Sequence, residues 1–482
     1  MTLAGKGSAN ALVKLAYAAP AFALAVVGIP VYIYIPKFYT DVVGVPMAAL
    51  GAMISAVRLF DAVTDPVVGY LSDRTHSPYG RRRPYIAAGA LLLAACLFFL
   101  FNPPTASPRF ETGWFGFWVF ALFLSWTMVQ IPYEALGPEI TFDYDERTTL
   151  FSIRDGALIL GTLVAAASPA LVERILGMEA GPAMERRKFF WIAVVYGPLL
   201  VGLSWLCTLV IREKPSHSRD AVSHVSAGLF CGLKQAAGNR PFVVLIVSYT
   251  VAAFGSNLPA TLILYYVEYV LRSEDADLFL LLYFTVGIVF LPFWVKASAK
   301  MGKKRAWILS MLVNTGAFTG VFFLGPGDAW IYGILVFFSG IGFGATLALP
   351  SAMQADVIDY DELVSGERRE GRYIGLWSIA KKLAAALGVG VALAVLGVAG
   401  YVPGSDQTGE VVMTLRVLYA LVPSLCNVLA MIIVFAYPIT KEVHEDILRG
   451  ISERKGGNSV EDPLRSGRRI FPRGAQRPSC AQ

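Results

Sequence analysis

Twelve apolar runs, each long enough to cross a bilayer, constrain this chain more than any single motif. A span needs about 20 mostly apolar residues. The runs fall at about 12–37, 46–71, 84–101, 114–139, 150–173, 189–211, 241–269, 277–295, 305–324, 330–354, 372–398 and 412–437. Only 16% of the 482 residues are charged, against about 25% in a soluble protein. Mean hydropathy is +0.58. A soluble multidomain enzyme is excluded. So is a transmembrane barrel, whose strands are about 10 residues long and alternate in polarity. The expected fold class is an all-α polytopic membrane protein. The first run is preceded only by Lys6 and Lys14 and is long enough to span, so it reads as a helix and not as a cleavable signal.

An even number of spans puts both termini on one side. The Lys and Arg residues lie 28 on that side and 8 on the other. Basic loops stay in the cytoplasm, so both termini are expected there and the chain in the plasma (cell inner) membrane. The segment 212–240 is the longest connection on the terminal side. It divides the chain into a six-helix bundle at 1–211, a linker at 212–240, a second six-helix bundle at 241–440 and a tail at 441–482. The tail is polar and rich in Arg, Gly, Pro and Ser. It is expected to be disordered, solvated or touching anionic headgroups.

Two loops echo across the halves. Gly80-Arg81-Arg82-Arg83 precedes span 3, and Gly302-Lys303-Lys304-Arg305 precedes span 9, an offset of 222. Phe142-Asp143-Tyr144-Asp145-Glu146-Arg147 follows span 4, and Ile358-Asp359-Tyr360-Asp361-Glu362-Leu363 follows span 10, an offset of 216. Two matches in the same order indicate two halves related by a parallel repeat, as in major facilitator transporters. Arg81, Arg82 and Arg83 are expected to bond Asp73, Asp145, Glu146 and Arg147, or helix C-terminal carbonyls, as a cytoplasmic gate. The alternative is that they set topology alone.

Charges inside spans each cost about 2.5–3.5 kcal/mol on insertion scales and mark functional sites by default. Span 2 carries Arg58, Asp61 and Asp65 at helical spacings, on one face, with Thr64 beside them. If Arg58 neutralises Asp61, Asp65 is left needing a proton or a cation. The repeat maps Asp61 to Tyr283 and Asp65 to Gly287. The acids are therefore no requirement of a six-span unit. Span 4 offers Trp126, Thr127, Gln130 and Glu134, with Pro132 expected to bend it or free a carbonyl. Arg154 and Asp155 open span 5, and Trp377, Lys381 and Lys382 lie in span 11. Glu134, Arg154 and Lys382 either form a network among themselves or await a substrate that completes it. Trp377 offers a stacking face or plain packing.

These residues resemble a known family. Arg58-Leu59-Phe60-Asp61-Ala62-Val63-Thr64-Asp65-Pro66, Ser72-Asp73-Arg74-Thr75, Tyr79-Gly80-Arg81-Arg82-Arg83-Pro84, Ile131-Pro132-Tyr133 and Asp143–Thr148 look like the glycoside–pentoside–hexuronide:cation symporters of the major facilitator superfamily. The melibiose permease is the familiar member. The resemblance runs from about residue 12 to 440. It implies a cation site at Asp61, Thr64, Asp65 and Thr127, for Na+ or H+, with Asp65 essential to either. Threonine at 64 replaces the permease's asparagine, which makes proton coupling more credible. The acids with which the permease reads galactosides are absent: Leu24 and Ala25 stand in span 1 and Gln130 in span 4, while Glu134 replaces an aromatic residue. Lys382 matches the lysine of span 11. Arg154 matches the arginine of span 5 once a one-residue gap is allowed.

The reading is a secondary transporter, coupling Na+ or H+ to a small organic solute, a sugar or glycoside, by alternating access. Its substrate-binding candidates are Gln130, Glu134, Arg154, Trp377 and Lys382. One alternative keeps the coupling but moves an amphiphile such as a lysolipid, with Arg154 and Lys382 on the anionic group. A remote alternative is a membrane enzyme or sensor. The chain has no HExxH, GxSxG or P-loop, so no catalytic residue and no enzyme activity are expected. Expected partners are the solute and membrane lipids, with no nucleic acid, no cofactor and no resident metal, and the unit is expected to act as a monomer. The five cysteines suggest neither a disulfide framework nor a cluster. The glycines of Gly340–Gly344 lie inside span 10, where close helix packing explains them.

Overall fold

The computed structural model describes residues 10–75, 77–140, 144–177, 181–211, 213, 238–366, 370–456, 458–465 and 469–470. Helices stand at each of the twelve runs: α1 (Ala11–Val43), α2 (Met47–Arg74), α3 (Arg83–Phe101), α4 (Pro108–Ile140), α5 (Tyr144–Leu176), α6 (Pro182–Val210), α7 (Arg240–Tyr269), α8 (Ala276–Val289 continued by Leu291–Met301), α9 (Lys303–Val321), α10 (Ala329–Ser365), α11 (Glu370–Val398) and α12 (Gly409–Phe435). Among the described residues, ten pass as membrane spans by length and composition, and the two pieces of α8 together make eleven. The shortfall is α9, whose apolar run is diluted by Lys303, Lys304, Arg305 and Asn314. It nevertheless packs along α10 and α12 as a full member of the bundle.

Prolines shape the helices locally. A proline has no N–H to give to the helix ladder. In α1 the winding loosens into wide turns at Pro30–Tyr34 and Phe38–Val43, which carry Tyr32, Tyr34, Thr40 and Asp41. Gly44, at φ 93°, ends the helix in the left-handed region. The two pieces of α8 meet at 41° across Phe290, with Pro292 in the first turn of the second piece. The helix α4 is uninterrupted from Pro108 to Ile140, with Pro132 inside it.

The packing repeats as the loops do. In the first half α1 packs on α5 and α6, α4 on α2 and α3, and α3 on α6. In the second half α7 packs on α11 and α12, α10 on α8 and α9, and α9 on α12. Adding six to each number in the first set gives the second. The halves meet where α2 lies against α11 and α5 against α8, which are themselves counterparts. Between α2 and α11 the backbones come close: a Cβ on Gly51 would stand 2.9 Å from the Leu393 Cβ. The glycines of α10 serve the same end, since a Cβ on Gly340 would meet the Tyr283 carbonyl and one on Gly342 the Ser310 carbonyl, each at 2.9 Å.

The tail departs from expectation. Lys441–Lys455 forms a helix, α13, capped by the Thr440 hydroxyl, which accepts from the Val443 N–H. Val460–Glu461 then pairs antiparallel with Arg469–Ile470. The apolar residues of the tail explain the order: Ile447 and Ile470 are buried against the end of α10 together with Leu363. Composition alone hides this, because these few side chains are spaced among charges.

Candidate functional site

The charged face of α2 meets α11 midway along their contact. Asp65 is held from two sides. Lys382 of α11 bonds its Oδ2, and the Thr127 hydroxyl of α4 donates to its Oδ1 at 3.0 Å. One turn earlier Asp61 is only 4% exposed, and its Oδ1 has no hydrogen-bond partner among the described residues. The Thr64 hydroxyl turns back onto its own helix, 3.3 Å from the Phe60 carbonyl. The Asp65 carboxylate thus ties oxygens of two helices to one ammonium from the other half, with Asp61 and Thr64 on the same stretch of α2.

Among the described residues no ion pair joins Arg58 and Asp61. The guanidinium lies between the rings of Tyr32 and Phe123, 4.3 and 4.4 Å from their centroids. Aromatic faces take up a weakly hydrated guanidinium well. The paired and unpaired acids are therefore the reverse of the simple sequence arithmetic.

The substrate-binding candidates form separate groups. Trp126 Nε1 donates to Gln130 Oε1 at 2.7 Å, and Gln130 Nε2 to Glu134 Oε1 at 2.8 Å. This chain follows one stripe of α4. Arg154 turns to its neighbour Asp155, with 2.7 Å between Nη2 and Oδ1. Trp377 stacks on Tyr249 at a centroid distance of 4.1 Å and is buried. A network of Glu134, Arg154 and Lys382 does not form, because Asp155 and Asp65 claim the two cations.

On the terminal side the basic triplet works through its backbone. The N–H groups of Arg81, Arg82 and Arg83 donate to the Glu213 carboxylate at 2.9, 2.9 and 2.8 Å. Arg82 also reaches the Ala135 carbonyl of α4. Successive N–H groups at a helix start form a concave anion seat. The acid that fills it comes from the linker, a residue that the sequence reading did not single out. The side chains of Asp73, Asp145, Glu146 and Arg147, the expected partners, lie outside the described residues.

The opposite side carries a network that the sequence reading missed. Asp41 of α1 accepts from Tyr401 at 2.7 Å and from Tyr269 at 3.2 Å. Thr40 and Tyr265 share a hydrogen bond at 2.9 Å. Lys37 pairs with Glu268, and Tyr34 bonds Asp277. Each of these contacts joins a residue of the first half to one of the second. The signal available was Lys37 and Asp41 at helical spacing beside the end of a span, opposite a Tyr-rich stretch that includes Tyr265, Tyr266 and Tyr269. Among the described residues, bonds between the halves gather here and along α2 and α11.

One further cluster lies apart from the α2 face. Asp356, Asp359 and His444 come together at the terminal end of α10. Lys303 already bonds Asp356 at 2.5 Å.

Comparison with known proteins fits this architecture. Residues 16–441 match the family described as MFS/sugar transport protein. An uncharacterized symporter of Synechocystis is 28% identical, over 93% of this chain and 97% of its own. The glucuronide carrier protein homolog of Escherichia coli is 27% identical, over 88% and 91%. Among solved structures, a D-xylose-proton symporter superposes with a TM-score of 0.62 at 13% identity, covering 89% of this chain and 97% of the other, which speaks for the fold. The family match covers most of the chain, and this multi-pass membrane protein belongs to the MFS/sugar transport protein family.

Proposed function

We propose that the chain is a cation-coupled symporter of a sugar or glycoside that works by alternating access, with both termini in the cytoplasm. One observation carries the reading. Two carboxylates stand one turn apart on α2: Asp61 is buried with its Oδ1 unbonded among the described residues, and Asp65 is half-buried and held by a lysine of the other half. An unsatisfied buried carboxylate is costly, and a small cation or a proton removes that cost. The names of the relatives support the substrate class: one is a symporter and another a glucuronide carrier homolog.

The coupling cation, Na+ or H+, is cargo. Its seat is Asp61, Asp65, Thr64 and Thr127, all oxygen donors, which suits a hard cation. While Lys382 holds Asp65, the seat has its own tethered cation. An arriving ion at Asp61 and Asp65 displaces Lys382 and loosens the tie between α2 and α11. The freed ammonium and the Gln130–Glu134 stripe then face the sugar hydroxyls. Ion and sugar raise each other's affinity reciprocally. The halves rock, exchanging the Asp41 closure for one on the terminal side that includes Arg81–Arg83. An amphiphile would need Arg154 as well for its anionic group, and Arg154 is engaged by Asp155.

The test is uptake into reconstituted vesicles, with sugars, glucuronides and lysolipids each under imposed sodium or proton gradients. Asp65→Asn should fold but lose gradient-driven accumulation. Accumulation that survives Asp65→Asn removes the cation seat from this face, and uptake of a lysolipid alone overturns the substrate class.

A further inference from the structure

In each half the segment that follows the last span packs back on the terminal-side loops. In the first half it supplies Glu213, which accepts from the Arg81–Arg83 backbone. In the second half it supplies His444, which meets the acids at the end of α10. His444 Nε2 lies 3.0 Å from Asp359 Oδ2 and 3.4 Å from Asp356 Oδ1. Asp356, only 5% exposed, also takes the Lys303 ammonium at 2.5 Å. The imidazole therefore meets the Ile358–Leu363 motif directly at Asp359 and the Gly302–Arg305 motif through Asp356, which bonds Lys303. Among the described residues the charged groups facing it are Asp356 and Asp359 of α10 and Lys303 of α9. Both carboxylates attract an imidazolium, whereas a neutral imidazole keeps a hydrogen bond alone.

The rest of the tail is built to use that contact. Lys441 donates to the Ala299 carbonyl at the end of α8 at 3.3 Å. Arg454 donates to the Leu363 carbonyl of α10 at 2.6 Å. Gly450 lies so close to α10 that a Cβ there would stand 3.0 Å from Leu363 Cδ1. The far end of α13 is fixed by packing and by an arginine that never loses its proton. The near end is fixed by His444 together with the Lys441 bond to α8.

We propose that His444 is a proton-operated clasp, which fastens the first turns of α13 to α9 and α10 when the terminal-side solution is acidic and releases them when it is alkaline. The direction follows from linkage. The hydrogen bond to Asp359 holds the imidazole above its usual range, against the opposing effects of burial and Lys303. A base raised in this way contributes fully below its free value of about 6.5, and the contribution fades as pH climbs through the raised value. A fastened α13 joins the ends of α8, α9 and α10 into one body, so cytoplasmic pH would set how freely those helix ends move.

Hydrogen exchange of the intact protein in detergent, read by mass spectrometry over Lys441–Lys455 and corrected for intrinsic rates, tests this at about pH 6 and about pH 8.5. The wild type should exchange about tenfold faster at the higher pH in this segment, while α4 serves as the internal reference. His444→Gln should exchange at one rate at both values. His444→Lys, permanently charged, should stay protected at both. A flat wild-type profile overturns the clasp, and so does a His444→Gln profile that keeps the wild-type ratio. If His444→Gln fails to fold, His444→Lys decides alone: loss of the pH ratio supports the clasp and its retention refutes it.

Discussion

Lys382 of α11 bonds Asp65 of α2 across 317 residues of sequence and across the seam between the halves. It places an ammonium on one of the two carboxylates that face each other's neighbourhood on α2. A mobile cation must compete with it. Lys382→Met should therefore raise cation affinity by about tenfold, because the seat is no longer occupied internally. Coupled accumulation should fall, since the mid-span tie is lost. Isothermal titration with sodium, or with protons by pH shift, reads the first effect, and vesicle uptake the second. Unchanged affinity would mean that lysine and ion do not share a site.

Asp41 is the hub of the closure away from the termini, taking hydroxyls from Tyr269 and Tyr401 of the other half. Asp41→Ala removes the acceptor that both need. A cysteine in place of Leu264, which is 6% exposed, should then react about tenfold faster with an impermeant maleimide from that side, as the open population grows. The comparison belongs in a background lacking the native cysteines. Equal rates would show that the hydroxyl bonds are not what holds that side shut.

Close approach of α2 and α11 depends on Gly51. A methyl there would meet Leu393 Cβ at 2.9 Å. Gly51→Ala should cost about 1–3 kcal/mol by overpacking. The measurement is the thermal unfolding midpoint in detergent, with Gly113→Ala, where a Cβ finds open space, as the control that should not move it.

Glu213 sits 4% exposed in the seat made by the Arg81–Arg83 backbone. Glu213→Gln keeps one acceptor oxygen and loses the other together with the charge. A loss of about 1–3 kcal/mol is expected from the unsatisfied N–H groups. It should appear as a lower unfolding midpoint, partly recovered in Glu213→Asp. A neutral result would mean that water fills the seat equally well.

Much of the fold was legible because lipid imposes a strict rule: every backbone group in a span must be bonded within the helix, so span length is written directly in apolar runs. The repeat was legible because Gly80–Arg83 and Gly302–Arg305 are both retained. Asp61 and Asp65 stood out because a charge in a span is costly. What stayed hidden was the choice of partner. Arg58 had an acid three residues away and took two rings instead, since Tyr32 and Phe123 come from other helices. Lys382 finds Asp65, and Glu213 the basic triplet, only when distant helices are in place. The Asp41 network lies at a span end, where a charge costs little and draws no notice.

The packing of the two halves is interchangeable, but their chemistry is not. The counterpart of the α2–α11 contact is the α5–α8 contact, and the offset of 222 puts Gly287 where Asp65 would be and Leu160 where Lys382 would be. A duplicated frame has thus kept two corresponding joints, and at this position only one of them carries an acid and a base. Substitutions in the α5–α8 joint should change how fast the machine turns, whereas those at Asp65 and Lys382 should change how many ions each turn consumes.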